Sequence, residues 1–189
     1  MRLSIVIPFH NEGKNVKLVI NELLNFFKKF KIHGEIVAVD DRSTDGTGKL
    51  LDSLSKKFSN LKVIHRSNGS KDVQIGYAIM AGIGSAKGEI VTVMMGDNSD
   101  NPNDIIKMIK KIDEGYDVVC GSRLIQGSRL INYPLLKLWM MKIYNSLFSF
   151  LFGLGLSDFS NAFKSYRKKV FDKIKLESKE FEITAEMLL

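Results

Sequence analysis

Cysteine and proline are scarce in this sequence, and their scarcity excludes several kinds of protein. Of the 189 residues, one is cysteine and three are proline. A disulfide framework and a cysteine-rich zinc site are therefore excluded, and a reducing, cytoplasmic setting is expected. The lone thiol, Cys120, follows Val118 and Val119, which favours a core position over a nucleophile. With 44% hydrophobic residues the chain can bury a sizeable core, and its length fits one domain.

Acidic residues are missing from a long central stretch. No Asp or Glu occurs between Val118 and Ser157, and the whole chain carries a net charge of +7. A basic surface prefers anionic partners. A second basic segment runs from Lys164 to Lys175, and its single acid is Asp172. We expect this segment to receive phosphate or anionic lipid, with a solvated surface as the alternative.

Long charge-free apolar runs are also missing. Segment 131–156 is rich in apolar and aromatic residues, but Lys137 and Lys142 interrupt it, and the longest charge-free run there, 143–157, has 15 residues. Crossing a bilayer takes roughly 18 to 20 residues. We therefore expect one or two helices that lie in the membrane interface, with a buried core helix as the alternative. The aromatic residues expected at the headgroups are Tyr133, Trp139 and Tyr144.

Apolar strands alternate with amphipathic helices over the first two thirds of the chain. Strands are predicted at 3–8, 34–41, 61–66, 89–95 and 116–123. Helices are predicted between them, as in 16–30, where apolar residues recur at three- and four-residue spacing. Thr44 or Asp45 is the predicted cap of the second helix, and the third is predicted to end at Gly88. This alternation predicts an α/β fold with a mostly parallel sheet covered on both faces.

Polar side chains follow four of the predicted strands. They are His10, Asn11 and Glu12 after the first strand, Asp40 and Asp41 after the second, Asp97 to Asp100 after the fourth, and Arg123 after the fifth. In parallel sheets the ligand binds beyond the carboxyl ends of the strands. The sequence therefore predicts a binding site at this edge of the sheet.

The residue types at this edge suit a phosphorylated ligand. Mg²⁺ or Mn²⁺ is typically held by one or two carboxylates together with the phosphates of the substrate, and Asp97 with Ser99 could serve in that way. Arg123 could contact further phosphate oxygens, while Asp40 and Asp41 could accept hydrogen bonds from a ribose or a base. The alternative for the turn at 97–102 is helix capping by Asp100 or Asn101, and both interpretations can hold together.

A set of motifs spread over nearly the whole chain resembles one enzyme family. These motifs are IVIPFHNEGKNV (5–16), VDDRSTDGT (39–47), GYAIMAG (76–82), AKGEIV (86–91), MMGDNSDNP (94–102), GSR (121–123) and DFSNAFKSYRKKV (158–170). The chain resembles the family 2 glycosyltransferases with the GT-A fold, and among them the polyprenyl-phosphate or dolichyl-phosphate mannose and glucose synthases. The resemblance implies a single catalytic domain over 1–189, with a nucleotide-sugar half at 1–123 and an acceptor and membrane-facing half at 124–189. The family continues beyond the segment matching 181–189, so we expect the chain to be truncated there.

The resemblance also implies a reaction and a set of roles. The reaction is inverting transfer of a hexose from a UDP- or GDP-linked sugar to a polyprenyl phosphate at the inner face of the membrane, with Mg²⁺ or Mn²⁺ as cofactor and no nucleic-acid partner. Asp158 matches an acid near the acceptor and is the expected base or orienting group, unless it serves as a helix cap or a partner of Lys164. Glu186 is a further candidate acid. The residues expected to contact the nucleotide sugar are Pro8, His10, Glu12, Asp40, Asp41, Gly76, Asp97 and Arg123, with Asp97 and Ser99 at the metal and Arg123 also acting in catalysis.

One position departs from the family pattern. The family usually carries D-x-D before the metal, and Met95 stands where the first of these acids is expected. The chain thus offers one metal carboxylate fewer. Two alternatives therefore stay open, which are transfer to a sugar hydroxyl in a cell-surface polysaccharide and an inactive nucleotide-sugar-binding module.

Overall fold

Six strands and six helices occur in the part of the chain that the computed structural model describes, which is residues 1–66, 73–128, 134–153 and 155–188. The strands are β1 (Leu3–Phe9), β2 (Gly34–Asp40), β3 (Leu61–His65), β4 (Ile90–Val93), β5 (Val118–Cys120) and β6 (Lys164–Arg167). The helices are α1 (Val16–Phe30), α2 (Thr47–Ser55), α3 (Ile75–Ser85), α4 (Ile105–Asp113), α5 (Leu135–Phe152) and α6 (Ile183–Glu186). The five predicted strands are confirmed, whereas α3 ends earlier than predicted, and β6 was not predicted.

The strands form one sheet in the order β3-β2-β1-β4-β6-β5. β1 to β4 are parallel, and β6 runs antiparallel to both β4 and β5. β5 therefore runs in the same direction as β4. The two strands are not neighbours, because β6 lies between them. Arg123, which follows β5, remains at the carboxyl-end edge of the sheet, called the rim below.

Successive residues of the strands point to opposite faces of the sheet, and their side chains contribute to two hydrophobic cores, one on each face. Ile5 and its neighbours pack against α1, α2 and α4, for example against Leu23. Val6 and the other face pack against α3 and α6, for example against Ile79 and Ile183. The predicted sheet with helices on both faces is confirmed, and its rim is held from both sides.

Helix α5 buries little of its apolar surface. Only Met141 and Asn145 of its described residues are buried, whereas Leu135 is 75% and Phe150 is 84% exposed. The expected helix in 131–156 is confirmed, and the alternative of a buried core helix is wrong. No helix in the described ranges has the length and hydropathy that a membrane span requires. Tyr133, expected at the headgroups, lies outside the described residues.

The basic segment from Lys164 to Lys175 is not a ligand-facing surface at the rim. Lys164 is 0% exposed in β6, and its Nζ donates to the carbonyls of Phe159 (2.9 Å) and Thr184 (2.7 Å). Because β6 is antiparallel, the chain then leaves the rim, and Arg167 pairs with Asp117 at the opposite edge (3.3 Å). Lys164 and Arg167 are thus engaged within the fold. That the segment receives phosphate or anionic lipid stays a prediction for its exposed residues, Lys169, Lys173 and Lys175.

Candidate functional site at the sheet rim

A cleft of about 270 Å³ opens at the rim, beyond the ends of β1, β2 and β4. It brings together five residues that the sequence predicted for the donor site, namely Pro8, His10, Glu12, Asp41 and Asp97. Its other lining residues are Phe9, Val73, Ile75, Met95, Gly96, Glu180 and Phe181. The apolar walls and the few polar groups at one end are typical of a small-molecule site.

The loop after β1 is held by the loop before α2. Asn11 adopts a left-handed conformation (φ 55°), and its side-chain Oδ1 accepts a hydrogen bond from the Thr44 backbone (2.8 Å). The Ser43 hydroxyl accepts from the Asn11 N–H (3.0 Å). Asp45 accepts from Gly13 (2.9 Å) and also from Thr47, and hydrogen bonds from Thr47 and then Gly13 lower the pKa of Asp45 to about 2. Asn tolerates left-handed backbone, which is the signal by which Asn11 could have been singled out.

Asp40 and Asp41 point in opposite directions, as neighbouring residues of extended backbone do. Asp41 lines the cleft, where it pairs with Arg66 (2.5 Å) and accepts from the Gln74 N–H (3.0 Å). Asp40 faces away from the cleft, and its carboxylate contacts Ser43 and His65. The structure therefore places Asp41 in the cleft but not the side chain of Asp40.

The ring of His10 is fixed by hydrogen bonds on both nitrogens. The amide group of Asn11 lies 3.0 Å from Nε2, and the Asp41 carbonyl oxygen lies 2.8 Å from Nδ1. Because the Asn11 oxygen already accepts from Thr44, its NH₂ group faces Nε2, which must accept. His10 therefore carries its proton on Nδ1 and presents a fixed ring at the cleft.

The turn after β4 presents one carboxylate and one hydroxyl at the surface. Asp97 Oδ1 accepts from both the Ser99 N–H (3.0 Å) and the Ser99 hydroxyl (2.7 Å), and both residues are exposed. No group of three or more His, Cys, Asp or Glu side chains suited to a metal occurs in the described ranges. Two oxygen atoms are fewer than a divalent cation requires, so a cation at this turn would need further oxygen ligands.

Asp100 belongs to the inner side of the same turn. Its Oδ2 accepts from the Met95 N–H (3.1 Å), and burial raises its pKa to about 6. Asn101 caps the short 3₁₀ turn Pro102–Asp104 that precedes α4, and its side chain accepts from the Asn103 N–H (3.0 Å). The capping interpretation therefore applies to Asn101, and Asp100 shapes the turn.

Arg123 and Asp158 form a bidentate ion pair beside the cleft. Arg123 Nε and Nη2 donate to the two carboxylate oxygens, each over 2.8 Å, and the Arg123 N–H donates to one of them over 3.0 Å. Ser160 accepts a further bond from Arg123 (2.7 Å). Burial alone would raise the pKa of Asp158, but the hydrogen bonds and charge of Arg123 outweigh it and lower the pKa. With both oxygens engaged, Asp158 orients Arg123 and does not contact Lys164, which was an alternative partner.

Residues 176–188, called the strap below, close one side of the cleft and were largely missed in the sequence. Glu186 accepts from the N–H groups of Glu177 (2.7 Å) and Ser178 (2.8 Å), so its carboxylate holds the strap backbone. Gly76 donates its N–H to the Lys179 carbonyl (2.8 Å), and a Cβ on Gly76 would clash with Ser178 and Lys179. The structure thus places Gly76 against the strap and Glu186 within it. Two strap residues that the sequence did not single out line the cleft, Glu180 and Phe181.

Comparison with solved structures defines the fold class. The chain superimposes on glucosyl-3-phosphoglycerate synthase from Mycobacterium tuberculosis, crystallised with Mn²⁺, UDP and glucosyl-3-phosphoglycerate, with a TM-score of 0.73 and 16% identity over 99% of this chain and 63% of that one. S. aureus TarS 1–349 in complex with UDP-GlcNAc gives a TM-score of 0.63 and 22% identity over 99% of this chain and 53% of that one. The molecule has the GT-A glycosyltransferase fold, as the motifs predicted.

Comparison of sequences gives the family. The chain belongs to glycosyl transferase family 2, which it matches over residues 4–175. Polyprenol monophosphomannose synthase from Mycolicibacterium smegmatis is 32% identical over 178 residues, covering 93% of this chain and 65% of that protein. Dolichol-phosphate mannosyltransferase from Pyrococcus furiosus is 30% identical over 191 residues, covering 100% of this chain and 53% of that protein. The chain thus spans between about half and two thirds of the length of these relatives.

Proposed function

We propose that the chain carries the catalytic domain of an inverting glycosyltransferase, which moves a hexose from a UDP- or GDP-linked sugar to a polyprenyl phosphate at the inner face of a membrane. The observation that carries this proposal is a cleft with polar groups at the rim, beside which the Arg123–Asp158 pair is joined through Phe159 and Asn145 to an exposed apolar helix. The names of the two relatives above support the substrate class.

The donor is assigned to the cleft at the rim. Asp41 and Glu12 offer carboxylate oxygens for a base and ribose, and His10 and Phe181 offer aromatic rings. Asp97 stands at the end of the cleft where a diphosphate would lie beside Arg123. The charge of Arg123 reaches this turn, since it lowers the pKa of Asp100 against the effect of burial.

A divalent cation, Mg²⁺ or Mn²⁺, fits this turn if the donor supplies the missing ligands. Asp97 and Ser99 present a carboxylate and a hydroxyl 2.7 Å apart, and Met95 leaves the second carboxylate to be replaced by diphosphate oxygens. The bound cation would neutralise negative charge on the departing diphosphate. The chain would then hold the cation only together with its donor.

The acceptor needs little help from a base, because a phosphomonoester is already ionised near neutral pH. The structure agrees with this, since Asp158 is committed to Arg123 and not free to take a proton. Arg123, held in a fixed direction, would stabilise charge on the phosphates in the transition state. The role of Asp158 is then to position Arg123.

The acceptor lipid is assigned to the side of the molecule that carries α5. Asn145, buried in α5, accepts from the Phe159 N–H (2.5 Å), and Phe159 follows Asp158 directly. The exposed apolar face of α5 is thereby fixed relative to Arg123. A helix with this face and exposed Lys137 and Lys142 suits the interface of an anionic membrane.

A donor and acceptor screen tests this function. Purified protein is mixed with UDP- and GDP-linked hexoses, Mn²⁺, and either polyprenyl phosphate in vesicles or a soluble glycan. We expect transfer to the lipid phosphate, a loss of about 100-fold for Asp97→Asn, and little change for the surface control Asp104→Asn. Transfer only to the glycan would favour the polysaccharide enzyme, and binding of nucleotide without any turnover would favour the inactive module.

A further inference from the structure

His65, the last residue of β3, lies between two carboxylates from different elements. Its Nδ1 is 3.0 Å from Asp40 Oδ2, at the end of β2, and its Nε2 is 2.9 Å from Asp52 Oδ1, on α2. Asp40 is buried, whereas His65 and Asp52 are partly exposed. One imidazole ring thus joins β2, β3 and α2 behind the cleft.

Both contacts can be hydrogen bonds only if the ring is doubly protonated. An ionised carboxylate accepts and cannot donate, and a neutral imidazole has one N–H. The hydrogen bond to Asp52 and then the one to Asp40 raise the pKa of His65, against the effect of burial. The charged groups lining the surrounding pocket are Asp40, Lys49 and Asp52, so the acids outnumber the single lysine.

The space for this contact is provided by a glycine. Gly48 lies in the first turn of α2, and a Cβ there would clash with Asp40 Oδ2 and approach His65 Cε1 to 3.2 Å. Glycine costs roughly 0.5–1 kcal/mol in a helix relative to alanine. Gly48 therefore leaves room for the contact between Asp40 and His65, at a cost to the stability of α2.

A chain of hydrogen bonds connects His65 to the cleft. Asp40 Oδ1 accepts from the Ser43 N–H (3.2 Å), and the Ser43 hydroxyl accepts from the Asn11 N–H (3.0 Å). The Asn11 amide then donates to His10 Nε2 (3.0 Å). The direction of Asp40 therefore affects the loop that presents His10 to the ligand.

We propose that His65 is a pH-sensitive positioning residue of the donor site. As an imidazolium ion it holds Asp40 and Asp52 together and fixes the loop bearing His10. On deprotonation one of its two hydrogen bonds is lost, the loop loosens, and nucleotide affinity falls. The effect on affinity rests on the proposed function, whereas the doubly bonded ring and its effect on the loop do not.

The sign of the effect follows from the raised pKa of His65. A group whose pKa is higher in the folded chain stabilises the fold fully below its unfolded pKa, about 6.5 for His, and this contribution is lost as the pH rises through the folded value. The loop is therefore expected to be held near pH 6 and loosened toward alkaline pH.

The test follows the ring, the loop and the ligand separately. NMR titration of the three histidines gives the pKa of His65, and hydrogen-exchange protection of Asn11 and Ser43 reports on the loop. Calorimetry with UDP or GDP and Mn²⁺ gives Kd between about pH 6 and pH 8.5. We expect wild-type Kd to weaken about tenfold over this range and protection to fall in parallel, as for loss of one charge-assisted hydrogen bond. His65→Gln, which does not titrate, should lose most of this slope.

Three further variants sharpen the result. Asp52→Asn should lower the pKa of His65, and Gly48→Ala should reproduce the alkaline state at about pH 6. His33→Gln, on an exposed loop, should leave the slope unchanged. Burial raises the pKa of Asp100, in the turn beside the cleft, to about 6, so a slope that remains in His65→Gln is assigned to groups other than His65.

Two results would overturn the proposal. One is an ordinary or lowered pKa of His65, and the other is an equal pH slope of loop protection in wild type and His65→Gln. If wild type binds neither nucleotide at any pH, the proposed function fails instead. The titration and the exchange measurement still decide the role of His65 in that case.

Discussion

At the scale of single residues, Asp158 and Arg123 illustrate how one contact divides the work of two charged groups. The carboxylate is buried and the guanidinium is partly exposed, so the pair presents its positive charge outward. Removing one partner of a buried pair leaves the other without compensation, which is more costly than losing a surface pair. The pair is therefore expected to govern both stability and the direction of Arg123.

Asp158→Asn tests this expectation. Asn keeps the shape but not the charge, so we expect a loss of about 1–3 kcal/mol in the free energy of unfolding and a fall in kcat of at least about tenfold. Denaturant unfolding and steady-state kinetics measure the two effects. The control is Asp104→Asn, which removes the exposed pair with Lys107 and should change stability by less than about 0.5 kcal/mol. Equal effects of the two variants would contradict a special role for Asp158.

The buried Lys164 is expected to make the stability of the fold depend on pH. Burial lowers its pKa to about 8 in the folded chain, from an ordinary value of 10.5. Below pH 8 both states hold the proton, and between 8 and 10.5 the unfolded chain holds more, so the contribution of Lys164 to stability rises with pH. Relative to Lys164→Met, wild type should gain up to about 3 kcal/mol over this range.

Denaturant unfolding of both proteins at several pH values measures this gain. Burial raises the pKa of Cys120 and of Tyr166, which also affects stability at alkaline pH. The effect of Tyr166 is common to both proteins and cancels in the difference. The charge of Lys164 lowers the pKa of Cys120, so both proteins are compared with Cys120→Ala in place. A difference that stays constant with pH would show that the pKa of Lys164 is not lowered.

At the scale of elements, α5 joins a narrow buried stripe to a broad exposed apolar face. Its attachment rests on Met141 and Asn145, and the latter bonds the backbone ahead of β6. The exposed side chains are Leu135, Leu136, Trp139, Met140, Ile143, Tyr144, Leu147, Phe150, Leu151 and Phe152. Surfaces of this kind are kept on soluble domains for contact with lipid or protein.

Substitution on this face should weaken membrane binding selectively. Trp139→Ser and Phe150→Ser each remove a large apolar side chain, worth about 1.5–3 kcal/mol when fully buried, so about tenfold weaker binding to anionic vesicles is expected for each. Leu18→Ser, on the exposed face of α1, is the matched control and should leave binding unchanged. Vesicle flotation at low and high salt measures the effect. Equal binding by all three variants would count against α5 as the membrane surface.

The strap is the second element with a testable contact. Alanine at Gly76 would place a Cβ within 2.6 Å of the Lys179 carbonyl, which forces the strap away from α3. We expect weaker nucleotide binding and a loss of about 1–3 kcal/mol in stability. Gly84→Ala, in the same helix, meets no neighbouring atom and should be neutral or stabilising by about 0.5–1 kcal/mol. Calorimetry measures the nucleotide affinity of the two variants, and thermal unfolding measures their stability. Equal nucleotide affinity of the two variants would show that the strap does not contribute to the donor site.

At the scale of the whole molecule, β6 connects the two halves of the chain that the sequence predicted. It comes from the half at 124–189, yet it lies between β4 and β5 of the half at 1–123. β5 has no other strand partner in the described sheet. The predicted nucleotide half and acceptor half are therefore not separate folding units.

A fragment of residues 1–123 should consequently fail to fold cooperatively. It would leave one edge of β4 unpaired and would lack the partner of β5. Thermal unfolding of the fragment should be broad, whereas the full chain should unfold in one transition with coincident far- and near-ultraviolet circular dichroism. A sharp unfolding transition in the fragment would instead show that residues 1–123 fold independently of the rest of the chain.

The parts of the fold that the sequence predicted are those encoded locally. β1, β2 and β4 are continuous apolar runs, and such runs mark strands buried on both faces. β6 reads Lys164, Ser165, Tyr166, Arg167, and nothing local shows that this lysine is buried. Its burial depends on carbonyls at residues 159 and 184, which no periodicity reveals.

The site shows the same limit. That Asp40 and Asp41 would lie at the rim was predictable from their place at a strand end, but which of them faces the cleft depends on strand orientation. Glu186 was expected at the site as an acid, and its hydrogen bonds to Glu177 and Ser178 instead make it a support for the strap. Contacts between distant segments decide such roles.

The position of β6 also bears on how the protein is made. A ribosome releases β4 and β5 before β6, so for more than forty residues of synthesis the sheet has a gap where β6 will insert. Until then β4 exposes unpaired backbone N–H and C=O groups along one edge, and the emerging α5 adds its exposed apolar face. Unpaired edges and exposed apolar faces favour aggregation of a nascent chain. If α5 binds a membrane, as the proposed function requires, that binding would cover its apolar face before the sheet is complete.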